Sequence, residues 1–412
     1  MTEATVCIAG TLDTKGTEYK YVKECIEELG VKVLVVNTGT IGEPYFEPDI
    51  PATEVAAKAG IDLAYFADRK EGAEGRPLAI TKMGEGLAKV LVELQEAGKI
   101  HAVLGLGGTG GTDMLSPAFR ALPIGFPKLL VSTMASNNTK PYVGNSDMAM
   151  MYAVTDIGGL NQISLMILSN AAHMAAGAAQ GYEATVQRAK ASKPLIAITQ
   201  WGVTTPGVER IRWNLENNGF EVVAFHAVGE GAGMEELIDK GVIAGLIDFS
   251  LPEILNHWNG GIFDPLIDRM EAAVRNNIPL VVVPGALEAF NFGAPPTIPA
   301  AYQDRNIILH NPNITSLLAT PEEMVKLGKY VAEHVNASPG PKAVAIPLKG
   351  LDNYMKEGNQ WHGVDYSPIV NSIKENLDPA VEVVEMDTII NDPAFADKVY
   401  ELFAARWAAR QQ

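Results

Sequence analysis

Two stretches of this chain bring glycine, hydroxyl and charged side chains together at spacings that can hold an anion: Gly10-Thr11-Leu12-Asp13-Thr14-Lys15-Gly16 and Gly105-Leu106-Gly107-Gly108-Thr109-Gly110-Gly111-Thr112. Each follows a short apolar run, Val6-Cys7-Ile8-Ala9 or Ala102-Val103-Leu104, and each leads into a helical pattern. Backbone N–H groups, helix N-termini and hydroxyls therefore converge beyond strand ends, which suits an anionic, phosphorylated ligand. In the first stretch the Thr11 and Thr14 hydroxyls, the Lys15 cation and the Asp13 carboxylate can bind phosphate or a phosphate-bound Mg²⁺. The alternative there is a tight turn in which Asp13 and Thr14 cap the next helix. In the second, the glycines at 107, 108, 110 and 111 carry an entropic cost that close backbone approach to a ligand explains better than a turn. Ser132-Thr133-Met134-Ala135-Ser136 follows a further strand and is expected to line the same crevice, with Gly39 from the loop after the second strand. Asp147 is a second candidate Mg²⁺ ligand beside Asp13.

The second half offers candidates for chemistry on a small molecule. Thr204-Thr205-Pro206 follows a strand and begins a helix, again an anion-binding arrangement. Asp248 ends a strand, and Glu253 and His257 lie four apart, so they can share one helical face as a general acid–base pair; a structural pair is the alternative. Gly285, Asn291, His310 and Asn311 follow or end later strands and are expected at the same rim, with His310 as a general base or a core histidine.

Several chemistries lose support. Lys15 precedes its glycine, so the Walker pattern fails. The spacing near Gly105 matches G-x-G-x-x-G, but the acidic residue that should follow about 20 positions on is missing, since the first acid beyond Thr133 is Asp147. There is no His-Glu-x-x-His and no nucleophile elbow.

These residues need a scaffold of alternating strands and helices. Strand runs at 5–9, 32–36, 102–104 and 128–131 alternate with helical patterns near 17–29, 80–98 and from 113, and a long helix over 160–190 closes a first domain. After a break at 191–194, strand runs at 195–199, 221–225, 242–247, 280–283, 306–309 and 343–346 form a second series. Continuous apolar strands imply burial on both faces. The expected fold is α/β: two doubly wound, mostly parallel-sheet domains over 1–190 and 194–412, with a cleft between them.

With 412 residues, 47% hydrophobic and 20% charged, composition is that of an ordered globular chain. A formal charge of −17 argues against nucleic acid or anionic lipid as a general partner, so a phosphate would be held by local dipoles and cations. No apolar run approaches a membrane span, and a cytoplasmic location is expected. Cys7 and Cys25 cannot build a disulfide framework and are expected to pack as small core residues. The Ala- and Met-rich helix at 160–179 suits close packing, either in a homo-oligomer or within the monomer.

The opening Gly10-Thr11-Leu12-Asp13-Thr14-Lys15-Gly16-Thr17-Glu18 resembles the signature of the UPF0261 family, the Tm-1-like ATP-binding proteins. The likeness continues through Asn37-Thr38-Gly39, the 107–112 cluster, Asp156-Ile157-Gly158-Gly159-Leu160-Asn161, Thr204-Thr205-Pro206, Pro284-Gly285-Ala286-Leu287, Asn291-Phe292-Gly293, His310-Asn311-Pro312 and His362-Gly363-Val364-Asp365. The resemblance implies an ATP-binding N-terminal α/β half followed by a second α/β half, with no assigned reaction. An enzyme acting on a small phosphorylated or carboxylated metabolite and a non-catalytic nucleotide-dependent regulator are both consistent with it.

Overall fold

The computed structural model describes residues 4–66, 75–189 and 193–410. The chain forms two compact units, residues 1–190 and 191–412. Part of the break expected at 191–194 lies outside the described residues.

In unit 1, strands β1 (Thr5–Gly10), β2 (Lys32–Asn37), β3 (Ala102–Gly107), β4 (Lys128–Ser132) and β5 (Ala149–Tyr152) form a parallel sheet of order β2-β1-β3-β4-β5. Helices α1 (Gly16–Glu28), α2 (Ala52–Lys58), α3 (Gly75–Glu96), α4 (Thr109–Arg120), α5 (Lys140–Val143) and α6 (Gln162–Ala189) follow in turn. Successive β1 residues face opposite ways. Val6 and Ile8 pack with Tyr19, Val22 and Ile26 of α1 and Leu168 and Ala171 of α6, whereas Cys7 and Ala9 pack with Val55 of α2, Met83 and Leu87 of α3 and Met114 of α4. This two-sided burial explains the unbroken apolar run. Cys7 is fully buried and Cys25 half-buried, both as free thiols. β5, too short and too exposed to stand out as a strand in the sequence, completes one edge.

Unit 2 repeats the plan. Its strands β6 (Leu195–Gln200), β7 (Glu221–His226), β8 (Gly245–Ser250), β9 (Leu280–Gly285), β13 (Lys342–Pro347) and β14 (Glu382–Met386) form a parallel sheet of order β14-β13-β9-β8-β6-β7. Between β9 and β13 the chain inserts a three-stranded antiparallel sheet, β10 (Ala289–Phe292), β11 (Ile307–Asn311) and β12 (Ile314–Leu318), in the order β10-β12-β11. The run at 306–309 is therefore a hairpin strand and not a member of the large sheet. Its turn is built locally, since Asn311 Oδ1 accepts the Asn313 N–H at 2.9 Å across Pro312. Helices α7 (Thr205–Asn217) and, near the end, α13 (Pro393–Arg410) cover one face, where Val208, Ile211, Val399 and Phe403 meet Ile196, Ile247 and Val281. The other face carries α8 (Gly231–Asp239), α9 (Pro252–Asn259), α10 (Glu271–Arg275), α11 (Pro321–Ala337) and α12 (Ser367–Asn376). A capping box between Thr320 and Glu323 fixes the start of α11. Among the described residues no helix is long and apolar enough to cross a membrane.

Candidate functional site

The strand order of unit 1 reverses between β1 and β3, and both glycine loops leave the sheet there, at the C-terminal strand ends where open α/β sheets bind ligands. The two loops start α1 and α4, so two helix N-termini meet at one crevice. The glycines divide into two sets. A Cβ at Gly10 would overlap the Tyr19 hydroxyl, one at Gly16 the Tyr45 Cβ, and one at Gly39 the Asp13 carboxylate. At Gly107 it would lie 2.8 Å from Gly111 C and Thr112 N. These four are small because the chain packs against itself. At Gly108 the nearest atom to a Cβ would be Thr133 Oγ1 at 3.9 Å, and at Gly111 the Leu106 carbonyl at 3.5 Å, so these positions leave room for a ligand.

The hydroxyls divide in the same way. Thr112 is buried, and its Oγ1 donates to the Gly108 carbonyl at 2.8 Å and bonds the Ser132 hydroxyl at 2.6 Å, while Ser132 Oγ accepts the Met134 N–H at 2.9 Å. Both build the loops. Ser136 Oγ turns back to the Thr133 carbonyl at 3.3 Å. Thr11, Thr14, Lys15, Gly108, Thr109, Gly110 and Gly111 line a cavity of about 500 Å³, together with the apolar wall of Phe66, Ile80 and Met114 and with Arg76. Thr14 Oγ1 donates to Thr11 Oγ1 at 2.8 Å, and Lys15 Nζ to the Ile157 carbonyl. Arg76 also borders a neighbouring cavity of about 690 Å³ with Thr109 and Asp113. The sequence reading missed it. Its signal is a cation at the start of α3, where the helix dipole favours acids.

The two proposed metal carboxylates do not meet. Asp13 Oδ2 accepts the Ile41 and Gly42 N–H groups at 2.9 and 3.3 Å, while Oδ1 is buried without a partner. Asp147 sits at the opposite edge of the parallel sheet, where it pairs with Lys128, the first residue of β4, at 2.5 Å and accepts the Gly125 N–H at 2.7 Å. An Asp13–Asp147 magnesium site therefore does not fit, and among the described residues no group of three or more His, Cys, Asp or Glu side chains is placed to hold a metal ion.

In unit 2 several candidates belong to the frame. Thr204 is buried, with its Oγ1 accepting the Trp201 N–H at 3.0 Å and bonding Ser250 Oγ at 2.7 Å. Thr205 Oγ1 accepts from Gln200 at 3.1 Å, and a Cβ at Gly285 would overlap the Phe249 carbonyl. Glu253 and His257 do not form an acid–base pair. Glu253 is buried and holds Arg269 Nε at 2.8 Å and the Gly229 and Gly231 N–H groups at 2.7 and 3.1 Å, whereas His257 Nδ1 lies 2.8 Å from Asp264. Arg269 also meets Glu235 and, at 3.2 Å, Asp248. Asp248 is fully buried, and burial pushes its carboxyl up to about 6 against the pull of Arg269. It cannot reach a substrate without unfolding this network.

His310 and Asn291 are brought together. They line a cavity of about 140 Å³ with Trp201, His226 and Tyr354, and His310 Nδ1 lies 2.7 Å from the Tyr354 hydroxyl. Asn311 instead closes the hairpin turn. Behind Tyr354, Glu288 and Asp352 are both fully buried and face each other, with both Glu288 oxygens and Asp352 Oδ2 lacking a donor. Burial and the mutual repulsion push Glu288 well above the carboxylate range, and burial pushes Asp352 up to about 6, so the pair shares a proton.

The chain matches the family model described as the uncharacterised protein family UPF0261 N-terminal domain over residues 4–184 and that of the UPF0261 C-terminal domain over residues 193–407. A UPF0261 protein of Clostridium tetani is 40% identical over 394 residues, covering 95% of this chain and 96% of that protein. The ToMV resistance protein Tm-1 of Solanum lycopersicum is 32% identical over 420 residues, covering 96% of this chain and 55% of that protein. Among solved structures, a UDP-N-acetylglucosamine 2-epimerase from Rickettsia bellii aligns over 99% of this chain and 96% of its own at 10% identity, with a TM-score of 0.24. Two matching domain models that together span nearly the whole chain, with relatives aligned along its length, establish that this protein belongs to the UPF0261 family.

Proposed function

We propose that unit 1 binds ATP or a related phosphorylated metabolite in the crevice between the β1 and β3 loops. One observation carries the reading: in a chain of charge −17, the charged side chains that line the 500 Å³ cavity, among the described residues, are the two cations Lys15 and Arg76. The first-turn N–H groups of α4, at Thr109, Gly110 and Gly111, have no partner within the helix and point to where phosphate oxygens would sit. Arg76 adds a planar fork suited to two phosphate oxygens, and Phe66, Ile80 and Met114 offer an apolar wall to the rest of the ligand. Mg²⁺ enters this reading with the nucleotide, not through a preformed pair of carboxylates.

A separate observation favours regulation as a second reading. The loop after β2 is tied to the first glycine loop by Asp13, by the Tyr45 N–H donating to the Leu12 carbonyl at 3.0 Å, and by Asn37 Oδ1 accepting the Leu12 and Gly39 N–H groups. Occupancy at Thr11–Lys15 would bear directly on residues 38–45.

The test is thermal stability with ATP, ADP, NAD and a non-hydrolysable ATP analogue, each with and without Mg²⁺, on the wild type and Arg76→Ala. Binding raises the melting temperature by mass action. ATP and its analogue are expected to do so in the wild type and more weakly in the variant. No shift with any nucleotide at millimolar concentration overturns the reading. Release of phosphate from ATP would mark an enzyme.

A further inference from the structure

We infer that unit 2 has a small-molecule site of its own, in the cavity between the loop after β6 and the β11–β12 hairpin, and that it takes a neutral ring bearing a hydroxyl or carbonyl oxygen. This does not depend on nucleotide binding in unit 1.

Size comes first. A volume of about 140 Å³ compares with about 30 Å³ per liquid water, so the ligand is one small ring. The walls are mostly apolar and aromatic, with Trp201 and Phe263 among them, and the polar groups that converge on them are few: Asn291, His226, His310 and Tyr354. That is the usual make-up of a small-molecule pocket. It also lies at the C-terminal edge of the unit 2 sheet, beside the ends of β6 and β7, the edge where open α/β sheets bind ligands.

The lining contains no Lys, Arg, Asp or Glu. An anion would find no counter-charge and would face the buried Glu288–Asp352 pair behind Tyr354, while a cation would find no carboxylate in the lining. A neutral ligand fits both constraints.

The polar groups are pre-organised. Asp352 Oδ1 accepts the Tyr354 N–H at 2.7 Å, and the Tyr354 ring packs edge-on to Trp201 and Trp361. The Tyr354 hydroxyl lies 2.7 Å from His310 Nδ1 and ties that ring nitrogen down. Nε2 is then the ring nitrogen left to meet a ligand oxygen, and a hydroxyl can pair with it in either role. Asn291 is held by its own N–H donating to Asn256 Oδ1 at 3.0 Å and by Nδ2 donating to Ser316 Oγ at 2.9 Å.

A ring of this kind can be a sugar or an aromatic, and phenol and xylose are the probes that separate them. The full chain is titrated with each while tryptophan fluorescence and saturation-transfer NMR are followed. One probe is expected to bind saturably with a dissociation constant in the millimolar range. His310→Ala and Tyr354→Phe should weaken that binding about fivefold, the worth of one hydrogen bond. Tyr354→Phe keeps the ring and removes only the hydroxyl, so a melting temperature close to wild type shows that the fold is intact. Gly108→Val, in unit 1, should leave the titration unchanged. If neither probe saturates at tens of millimolar, or both unit 2 variants bind like wild type, the inference is overturned whatever ATP does.

Discussion

The Leu106 N–H donates to the Tyr19 phenol oxygen at 2.8 Å, while the phenol donates to the Ala9 carbonyl at 2.7 Å. The β1–β3 ladder ends at the Ala9–Gly105 pair, so the hydroxyl of α1 takes the place of the next rung and wedges the strands apart where the two glycine loops diverge. Burial holds the phenol well above its ordinary value and keeps it protonated. Gly10 is glycine because the ring passes where its side chain would stand. Unit 2 solves the same problem with Thr199, whose hydroxyl accepts the Ser250 N–H at 2.9 Å and donates to Asp248 at 2.8 Å, at the end of the β6–β8 ladder.

Tyr19→Phe should lower stability by about 1–3 kcal/mol, because it leaves the buried Leu106 N–H without its acceptor. Urea unfolding measures this, and a midpoint equal to wild type would show that the wedge is dispensable.

Gly107→Ala and Gly108→Ala should behave oppositely. At 107 the new methyl meets the backbone of Gly111 and Thr112, with an expected cost of about 1–3 kcal/mol. At 108 it enters open space, and the fold should change by no more than about 0.5 kcal/mol. Only the second variant should keep wild-type stability while losing any nucleotide-induced rise in melting temperature.

The Glu288–Asp352 pair sets a pH dependence of defined sign. Both carboxyls are raised in the folded state, Asp352 to about 6 and Glu288 well above the ordinary carboxylate range, with the Tyr354 and Tyr366 phenols as near neighbours. The native state thus binds more protons than the unfolded chain, so the pair's contribution is fully present at acidic pH below the unfolded carboxylate range and is lost as pH rises through 6 and beyond. Asp248 adds a loss of the same sign. Glu288→Gln, which can donate to Asp352 without a titrating proton, should flatten the fall. Melting curves between mildly acidic and neutral pH that stay parallel for the two proteins would contradict the shared proton.

Arg269→Met should be among the most damaging substitutions, with about 3–5 kcal/mol lost, since three buried carboxylates would remain without their cation. Circular dichroism melting tests this, and a loss below about 1 kcal/mol would mean that Glu235, Glu253 and Asp248 are neutralised by protonation.

What the sequence determined by itself was local and periodic. Unbroken apolar runs such as Val6–Ala9 and Leu280–Val283 report strands buried on both faces. Alternation with helical patterns reports a doubly wound fold, and glycine-threonine clusters directly after strands report loops at the C-terminal edge. Such signals depend on neighbours within one element, so they survive without knowledge of the partner. Strand order and edge could not be read that way. Asp147 looked like a partner for Asp13 until the parallel sheet put it at the far edge. His310 looked like the end of a large-sheet strand until β11 paired with β12, and it reaches the rim beside β6 from that hairpin. Glu253 four residues before His257 looked like a shared helical face until Arg269, from beyond α9, claimed its carboxylate. Arg76 joined the unit 1 cavity only because α3 packs beside α4. A polar side chain's role follows from which distant group desolvates it or satisfies it, and that contact exists only once the chain has chosen its sheet order.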